Sequence, residues 1–568
     1  MISSFKRSLT LALLFSIPFF VSAQGTSKKE DPKNWHQLDK AETGYYGISL
    51  DKAYDFVKGK KSKTVVVAVI DSGIDTLHED LKPILWTNSK EIPGNGIDDD
   101  HNGYVDDIHG WNFIGGKDGR NVKEDSYEGA RVYHHLKAKY GDKVPDPATV
   151  KPEDRAEVEM YRKAKEKIEG TSDAPAGGVD LVFLKRIAIA LHKSDSTLQI
   201  AMDKKSYTGK ELDDYVTTDP EVVKSKSTLL GLMKANNSLD QTNKDFLDGL
   251  DQYVTGEERK EEAKTTAPKD YRGEIVKDDE SNINDRYYGN NDIMAGTPFH
   301  GTHCSGIIAA VRNNGKGVDG IADNVRIMMI RAVPDGDEHD KDIANAIRYA
   351  VDNGAQIISM SFGKDFSPQK SWVDDAVKYA DSKGVLLVHA AGNDNKNIDS
   401  ADNFPNPVYV KTKMRAGNFI TVGASGDPSN GGITANFSNY GKNEVDVFAP
   451  GVKIYSSVPG GNTYGFASGT SMACPVVAGI AAFLLEYYPD LSARQLKYVI
   501  EKSAVQLTDK VKLPGTEQMV NLADISKSGG LANAYEAAKL AATIKGDRVS
   551  KPSPVIKLKS KLVTHKNG

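Results

Sequence analysis

Cysteine is scarce in this sequence: Cys304 and Cys474 are the only two among 568 residues. A chain of that size has no disulfide framework to rest on, so its fold must depend on burying apolar surface. Both cysteines stand a few residues from a histidine or a serine singled out below. They read as small buried hydrophobes, with one mutual disulfide as the alternative. Long hydrophobic runs are scarce too. The run 9–21 is too short to span a bilayer comfortably, and Pro18 interrupts it. With Lys6 and Arg7 before it and Val21-Ser22-Ala23 at its end, it reads as a secretory signal over 1–23. No cysteine follows that cleavage site, which argues against a lipid anchor, and no later segment reads as apolar enough to cross a membrane. The expected protein is exported (secreted, periplasmic or associated with the cell surface) without a stable membrane anchor. An excess of one charge is also missing. The formal net charge is −5, which leaves no basic footprint for nucleic acid. Hydrophobic residues at 39% and charged residues at 27% are ordinary for a globular chain. The length implies two or three folding units.

What is present is organised around Gly469-Thr470-Ser471-Met472-Ala473-Cys474-Pro475. A small flexible turn there delivers one serine to the start of a helix, and the apolar run 476–485 carries that helix through a core. A hydroxyl at a helix N-terminus meets backbone N–H donors and the positive end of the macrodipole. That setting suits chemistry in which negative charge develops beside the serine. It also gives the serine a better setting than either cysteine, which argues against a cysteine nucleophile. Serine is a poor nucleophile without a base, and the base needs an orienter.

Candidates for both occur upstream. The β-branched run 65–70 has the continuous apolarity of a buried parallel strand and ends in Asp71-Ser72-Gly73. An aspartate there either opens a turn or stands where open α/β sheets place their sites. Gly296 to Ala310 reads as a buried helix with His300 near its entrance. Strands at 325–330, 357–363, 385–393, 420–423 and 445–449 alternate with helices at 341–352, 373–383, 492–503 and 532–543. This alternation predicts an α/β fold: a parallel sheet with helices on both faces. A short helix is expected at 50–57. Residues 117–269 break the pattern with charged, helix-spaced sequence, clearest at 153–168 and 179–192 and weaker at 221–235 and 245–253. They read as an inserted, mainly α-helical subdomain. It divides a catalytic domain into 24–116 and 270–544, before a basic, disorder-prone tail at 545–568. His134, His135 and His192 lack metal-ligand company and read as packing or surface residues.

An acidic loop precedes the insertion. Asp98, Asp100 and Asn102 alternate, Gly103 permits a sharp turn, and Asp106 follows. That is the spacing by which an EF-hand-type loop wraps oxygens around Ca²⁺, with the Tyr104 carbonyl as a further ligand. His109 stands where such a loop has its closing glutamate. The alternative is an acidic solvated turn.

Asp71, His300 and Ser471 occur in an order known for serine nucleophilic catalysis on an α/β sheet. Ser471 would attack a carbonyl, His300 would move the proton, and Asp71 would hold the imidazole. The Ser471 N–H and the Asn393 side-chain amide are the candidate oxyanion donors. With Asp71-Ser72-Gly73, His300-Gly301-Thr302-His303, Ser361-Phe362-Gly363, Ala391-Gly392-Asn393 and Gly469-Thr470-Ser471-Met472-Ala473, the chain resembles the subtilisin-like (subtilase) serine proteases over about 45–112 and 285–543. The resemblance implies a subtilisin-like sandwich, an exported serine endopeptidase, protein or peptide substrates, and no organic cofactor. It further implies that Ser361, Phe362, Gly363, Ala390, Ala391 and Gly392 flank the substrate backbone and wall the main pocket. A peptide would add there as a strand. Small walls imply a preference for apolar side chains, with Asp394 and Asn403 leaving room for polar choice. Phe404-Pro405 matches a position that is often cis in the family. The chain departs from the family in the long Asp71-to-His300 interval, in the few residues before Val65 for an inhibitory propeptide, and in the form of its acidic loop.

Two other readings compete. In one, the fold is latent or serves binding, with the helical insertion engaging a partner, which predicts a blocked cleft. In the other, His300 and His303 join acidic residues in a metal-dependent hydrolase, although a third ligand at zinc spacing is missing.

Overall fold

The structure is a computed structural model that describes residues 32–170, 181–236, 238–239, 241–296 and 298–548. The secretory signal expected at 1–23 and the tail beyond residue 548 lie outside the described residues. The central sheet contains β1 (Val65–Asp71), β2 (Gly110–Asn112), β3 (Val325–Arg331), β4 (Ile357–Met360), β5 (Leu386–Ala390), β6 (Phe419–Asp427), β7 (Asn430–Thr434) and β8 (Val447–Pro450). Its order is β8-β6-β5-β4-β1-β3-β2, with every pair along that path parallel. β7 pairs antiparallel with β6, and the short pieces Gly530–Leu531 and Val505–Gln506 extend the edge beyond β8. The two-residue period of a strand sends alternate residues to opposite faces. In β1, Val65, Val67 and Val69 enter one apolar cluster while Ala68 and Ile70 enter the other. Both faces are buried, which is why β1 reads as an unbroken apolar run.

α1 (Leu50–Val57) packs on the first face. Next in the chain come α2 (Glu128–Tyr140), α3 (Arg155–Glu169), α4 (Leu181–Met202), α5 (Pro220–Ala235) and α6 (Asn243–Glu262). They form two groups. Val132, Tyr133 and Leu136 of α2 meet Tyr161 and Ala164 of α3, while Leu191 and Leu198 of α4 meet Leu229 and Met233 of α5 and Phe246 and Leu247 of α6. Helical sequence was expected from residue 117. Val122, however, lies in the core of the sheet's second face, and the buried Arg331 donates to its carbonyl. The regular helix therefore starts only at Glu128. α2 is polar along much of its length, and no stripe announced it. The returning chain is clamped by Arg272, whose Nε and Nη2 each lie 2.7 Å from an oxygen of Asp342 and whose Nη1 lies 2.7 Å from Asp278. Arg272 and Asp342 are fully buried.

α7 (Phe299–Ala309), α10 (Thr470–Tyr487), α11 (Ala493–Lys502) and α12 (Ala534–Ala541) complete the first face; α8 (Asp340–Asp352) and α9 (Lys370–Ser382) cover the second. α10 is apolar on every side, as a helix must be when it runs through a core. The expectation that no later segment is apolar enough to cross a membrane fails for α10. Its mean hydropathy is 1.5 over 18 residues, but 89% of it is buried inside the protein. A hairpin of β9 (Ile454–Val458) and β10 (Thr463–Ala467), unanticipated from sequence, packs on α7: Ser456 and Ser457 hydroxyls donate to the His303 and Thr302 carbonyls.

Candidate active site

β1 ends at Asp71, and α7 brings His300 to it. His300 Nδ1 lies 2.8 and 2.9 Å from the two Asp71 carboxylate oxygens. Gly301 makes that approach feasible: a Cβ there would sit 2.1 Å from the Gly73 carbonyl oxygen and 3.1 Å from Asp71 Cβ. The Asp71 side chain is buried, and the Ser72 N–H donates to it at 2.7 Å, whereas the His300 side chain is 35% exposed. Burial works to lower the His300 pKa, but the Asp71 charge outweighs it and holds the imidazole well above its usual 6.5.

Ser471 is the second residue of α10. Pro475 lacks the N–H that would bond the Ser471 carbonyl one turn back. Two side chains supply donors in its place: Ser361 Oγ at 2.9 Å and Cys304 Sγ at 3.4 Å. Cys304 also lies 3.9 Å from His300 Nδ1, so it is wedged between the histidine and the serine helix. The Ser471 hydroxyl donates to the Ser361 carbonyl at 3.1 Å. It must rotate off that carbonyl to reach the histidine, a common resting arrangement where substrate is absent. Both cysteines are free and buried, so the mutual disulfide is not formed. Burial raises both thiol pKa values, that of Cys474 to about 12.

Asn393 follows the end of β5. Its Oδ1 accepts from the Thr470 N–H and the Thr470 hydroxyl, each at 2.9 Å. Thr470 in turn accepts from the Gly392 N–H at 3.1 Å. Pinning the oxygen fixes which way the Asn393 NH₂ group points. A single point, the position of a Cβ built on Gly469, lies 3.6 Å from Asn393 Nδ2 and 3.5 Å from the Ser471 nitrogen. The two donors expected from sequence therefore converge. Thr470, which orients one of them, went unnoticed despite standing beside Ser471 in the motif.

The proposed walls also meet. Ser361 and Phe362 continue β4, and the Phe362 carbonyl is bonded to His389 Nε2 at 2.7 Å. Burial keeps His389 neutral, with its pKa lowered to about 4. Asn403 sits between the walls: its Nδ2 donates to the Ala391 carbonyl at 3.1 Å, and its Oδ1 would lie 2.9 Å from a Cβ on Gly363 and 3.7 Å from one on Gly392. Phe404-Pro405 is cis, as the resemblance implied. His303 bonds the Gly465 carbonyl at 3.2 Å. Among the described residues, the group of metal-capable side chains around His300 holds Asp71 and Cys304, not His303, so the metal-hydrolase pairing is not assembled.

The acidic loop brings together a different set from the one expected. Glu91, Asp98 and Asp100 present oxygens within 4.8 Å of one another. Asp106 is elsewhere: its carboxylate accepts the Gly94, Asn95 and Gly96 N–H groups. The Asn102 oxygen accepts from the Tyr104 N–H, and its amide donates to Asp107. Three converging carboxylates, with one ion pair from Lys90 to Asp100 at 3.4 Å, make a hard-oxygen donor set that fits Ca²⁺. Glu91 lies outside the alternating motif, so spacing alone could not flag it.

A profile of the subtilase family matches residues 62–524. The chain is 41% identical over 218 residues to the thermophilic serine proteinase of Bacillus sp. (strain AK1), which covers 38% of this chain and 48% of that protein. It is 40% identical over 218 residues to thermitase of Thermoactinomyces vulgaris, covering 38% of this chain and 70% of thermitase. It is 38% identical over 212 residues to subtilisin DY of Bacillus licheniformis, covering 37% of this chain and 72% of that protein.

Proposed function

Because the chain belongs to the subtilase family of serine endopeptidases, we propose that it hydrolyses peptide bonds in protein or peptide substrates through a Ser471 acyl-enzyme. The observation that carries this reading is the Asp71–His300 contact at 2.8 Å, set beside a serine at the start of α10. With Asp71 occupying Nδ1, Nε2 is the nitrogen left to accept the Ser471 proton. The freed alkoxide attacks the scissile carbonyl. The new oxyanion is met by the Ser471 N–H and the Asn393 NH₂. His300 then protonates the leaving amine, and a water repeats the sequence to release the acid. Ser361 to Gly363 and Ala390 to Gly392 would hold the substrate backbone, with Asn403 shaping the pocket floor.

The same reading makes the chain an exported enzyme, on the strength of the charged, apolar and small-residue pattern over 1–23. It assigns a structural Ca²⁺ to Glu91, Asp98 and Asp100, where the ion would neutralise three converging charges and stiffen the 88–107 loop. It also treats the helices after residue 117 as an insertion into a catalytic body. The test is hydrolysis of an unfolded protein substrate. The parent is expected to cleave it, and Ser471→Ala and His300→Ala, folded to the same degree, are expected to retain almost nothing. Full activity in Ser471→Ala would refute the assignment.

A further inference from the structure

β1 lies between β3 and β4 in the sheet and stops at Asp71. β3 and β4 end level with it, Arg331 opposite Asp71 and Met360 opposite Ile70, and their chains lead on from there. The Asp71 carbonyl still meets the N–H groups of Ala332 and Val333, and beyond that no strand among the described residues lies between the segments 336–338 and 361–364. A substrate strand would take the vacated place. The vacancy has an end, and it is made by the helical segment. Lys364 is buried, and its Nζ donates to the Glu338 carbonyl at 2.7 Å, tying the two sides together. Glu128, the first residue of α2, lies 2.8 Å from the same Nζ, and Asp340 lies 2.9 Å from it. Arg131 pairs with Glu128 at 2.8 Å and donates to the Asp337 carbonyl at 3.1 Å and the Glu338 carbonyl at 3.4 Å. The Glu128 N–H caps the Asp337 carboxylate at 2.8 Å. The backbone N–H and C=O of Lys364 are both bonded to Phe404.

A second contact supports the same closure. Phe366 is buried among the α2 and α3 side chains Val132, Tyr133, Leu136 and Tyr161. α3 also reaches this end of the 361–364 segment, with Lys167 paired to Asp365, and it holds a second ion pair from Lys163 to Asp402. One residue before the plug, Gly363 is exposed. The edge left open is thus 361–363.

We infer that α2 and α3 terminate the substrate groove, through Glu128, Arg131 and Lys364, so that only about three residues on the amino side of the scissile bond pair as a strand at ~3.3 Å each. Residues before those must turn out to solvent. The substrates are therefore flexible peptides or loop segments, recognised over a short amino-side stretch and indifferent to what precedes it. This rests on the peptidase reading above.

The experiment is a peptide series with one scissile bond, extended from one to six residues on its amino side, with kcat/KM measured for the full mature chain. Each residue up to the third is expected to raise kcat/KM by up to about tenfold, and the fourth to sixth by less than about twofold. A further tenfold gain at the fourth or fifth residue would overturn the inference while leaving the peptidase reading intact. A protein that cleaves no member of the series overturns both. In the paired variant Glu128→Gln with Lys364→Met, which removes opposite charges together, the gain is expected to extend past the third residue. A folded variant whose series still stops at three overturns the assignment to this cluster.

Discussion

In the proposed reaction Asp71, His300 and Ser471 would carry the chemistry, and their neighbours would decide how well. Asn393 is useful only if its NH₂ points at the developing charge, and Thr470 secures that by holding Oδ1 from both its N–H and its hydroxyl. Asn393→Ala is expected to lower kcat by about 10²–10³-fold with KM little changed, as read from steady-state kinetics. An equal rise in KM with kcat unchanged would instead mean ground-state binding. His300 must be neutral to take the serine proton. Its pKa is raised well above 6.5 because Asp71 stabilises the imidazolium, so the competent fraction grows as pH rises. The acid limb of kcat/KM is expected to lie above pH 6.5; a midpoint at or below that value would mean that Asp71 does not act on His300 as drawn. The placement of Asp71, His300 and Ser471 was legible in the sequence, because each stands at the end of a strand or near the start of a helix with a recognisable apolar pattern. The part played by Thr470 and the place of Glu91 were not. Thr470 acts through Asn393, 77 positions back along the chain, and Glu91 stands outside the alternating spacing that marks the acidic loop.

Among the elements, β1 and α10 were the most legible: one is buried on both faces and the other on every side, so their residues admit little but apolar ones. α2 and the β9–β10 hairpin were hidden by mixed polarity. The acidic loop was half legible. Its turn was foreseen; Asp106, expected as a ligand, accepts three backbone N–H groups and lies outside the cluster formed by Glu91, Asp98 and Asp100. Asp98→Asn together with Asp100→Asn is expected to abolish any calcium-dependent rise in thermal midpoint, since binding to the folded state alone produces that rise. Equal calcium dependence in parent and variant would remove the site. The re-entry clamp makes a separate prediction. Arg272→Ala leaves Asp342 and Asp278 without their buried guanidinium and is expected to cost about 3–5 kcal/mol, read as a lowered thermal midpoint. An unchanged midpoint would mean that the segment is held by packing alone.

At the scale of the whole molecule, a parallel sheet presents Asp71, the Ser361 segment and Asn393 from neighbouring strands, while α7 and α10 on one face carry His300 and Ser471. The helices between β2 and β3 in the chain leave the Asp71–His300 contact in place, and on the inference above they would also close one end of the groove. The order of Asp71, His300 and Ser471 tolerates so long an interval because the sheet, not the chain path, sets their spacing. The central claim is that this assembly activates Ser471. The most direct measurement is covalent labelling of the full mature chain by a fluorophosphonate, mapped by mass spectrometry and compared with Ser471→Ala. Stoichiometric modification at Ser471, absent from the variant and slowed in His300→Ala, is the expected result. A folded protein that stays unlabelled, or labels equally well without Ser471, would contradict the account.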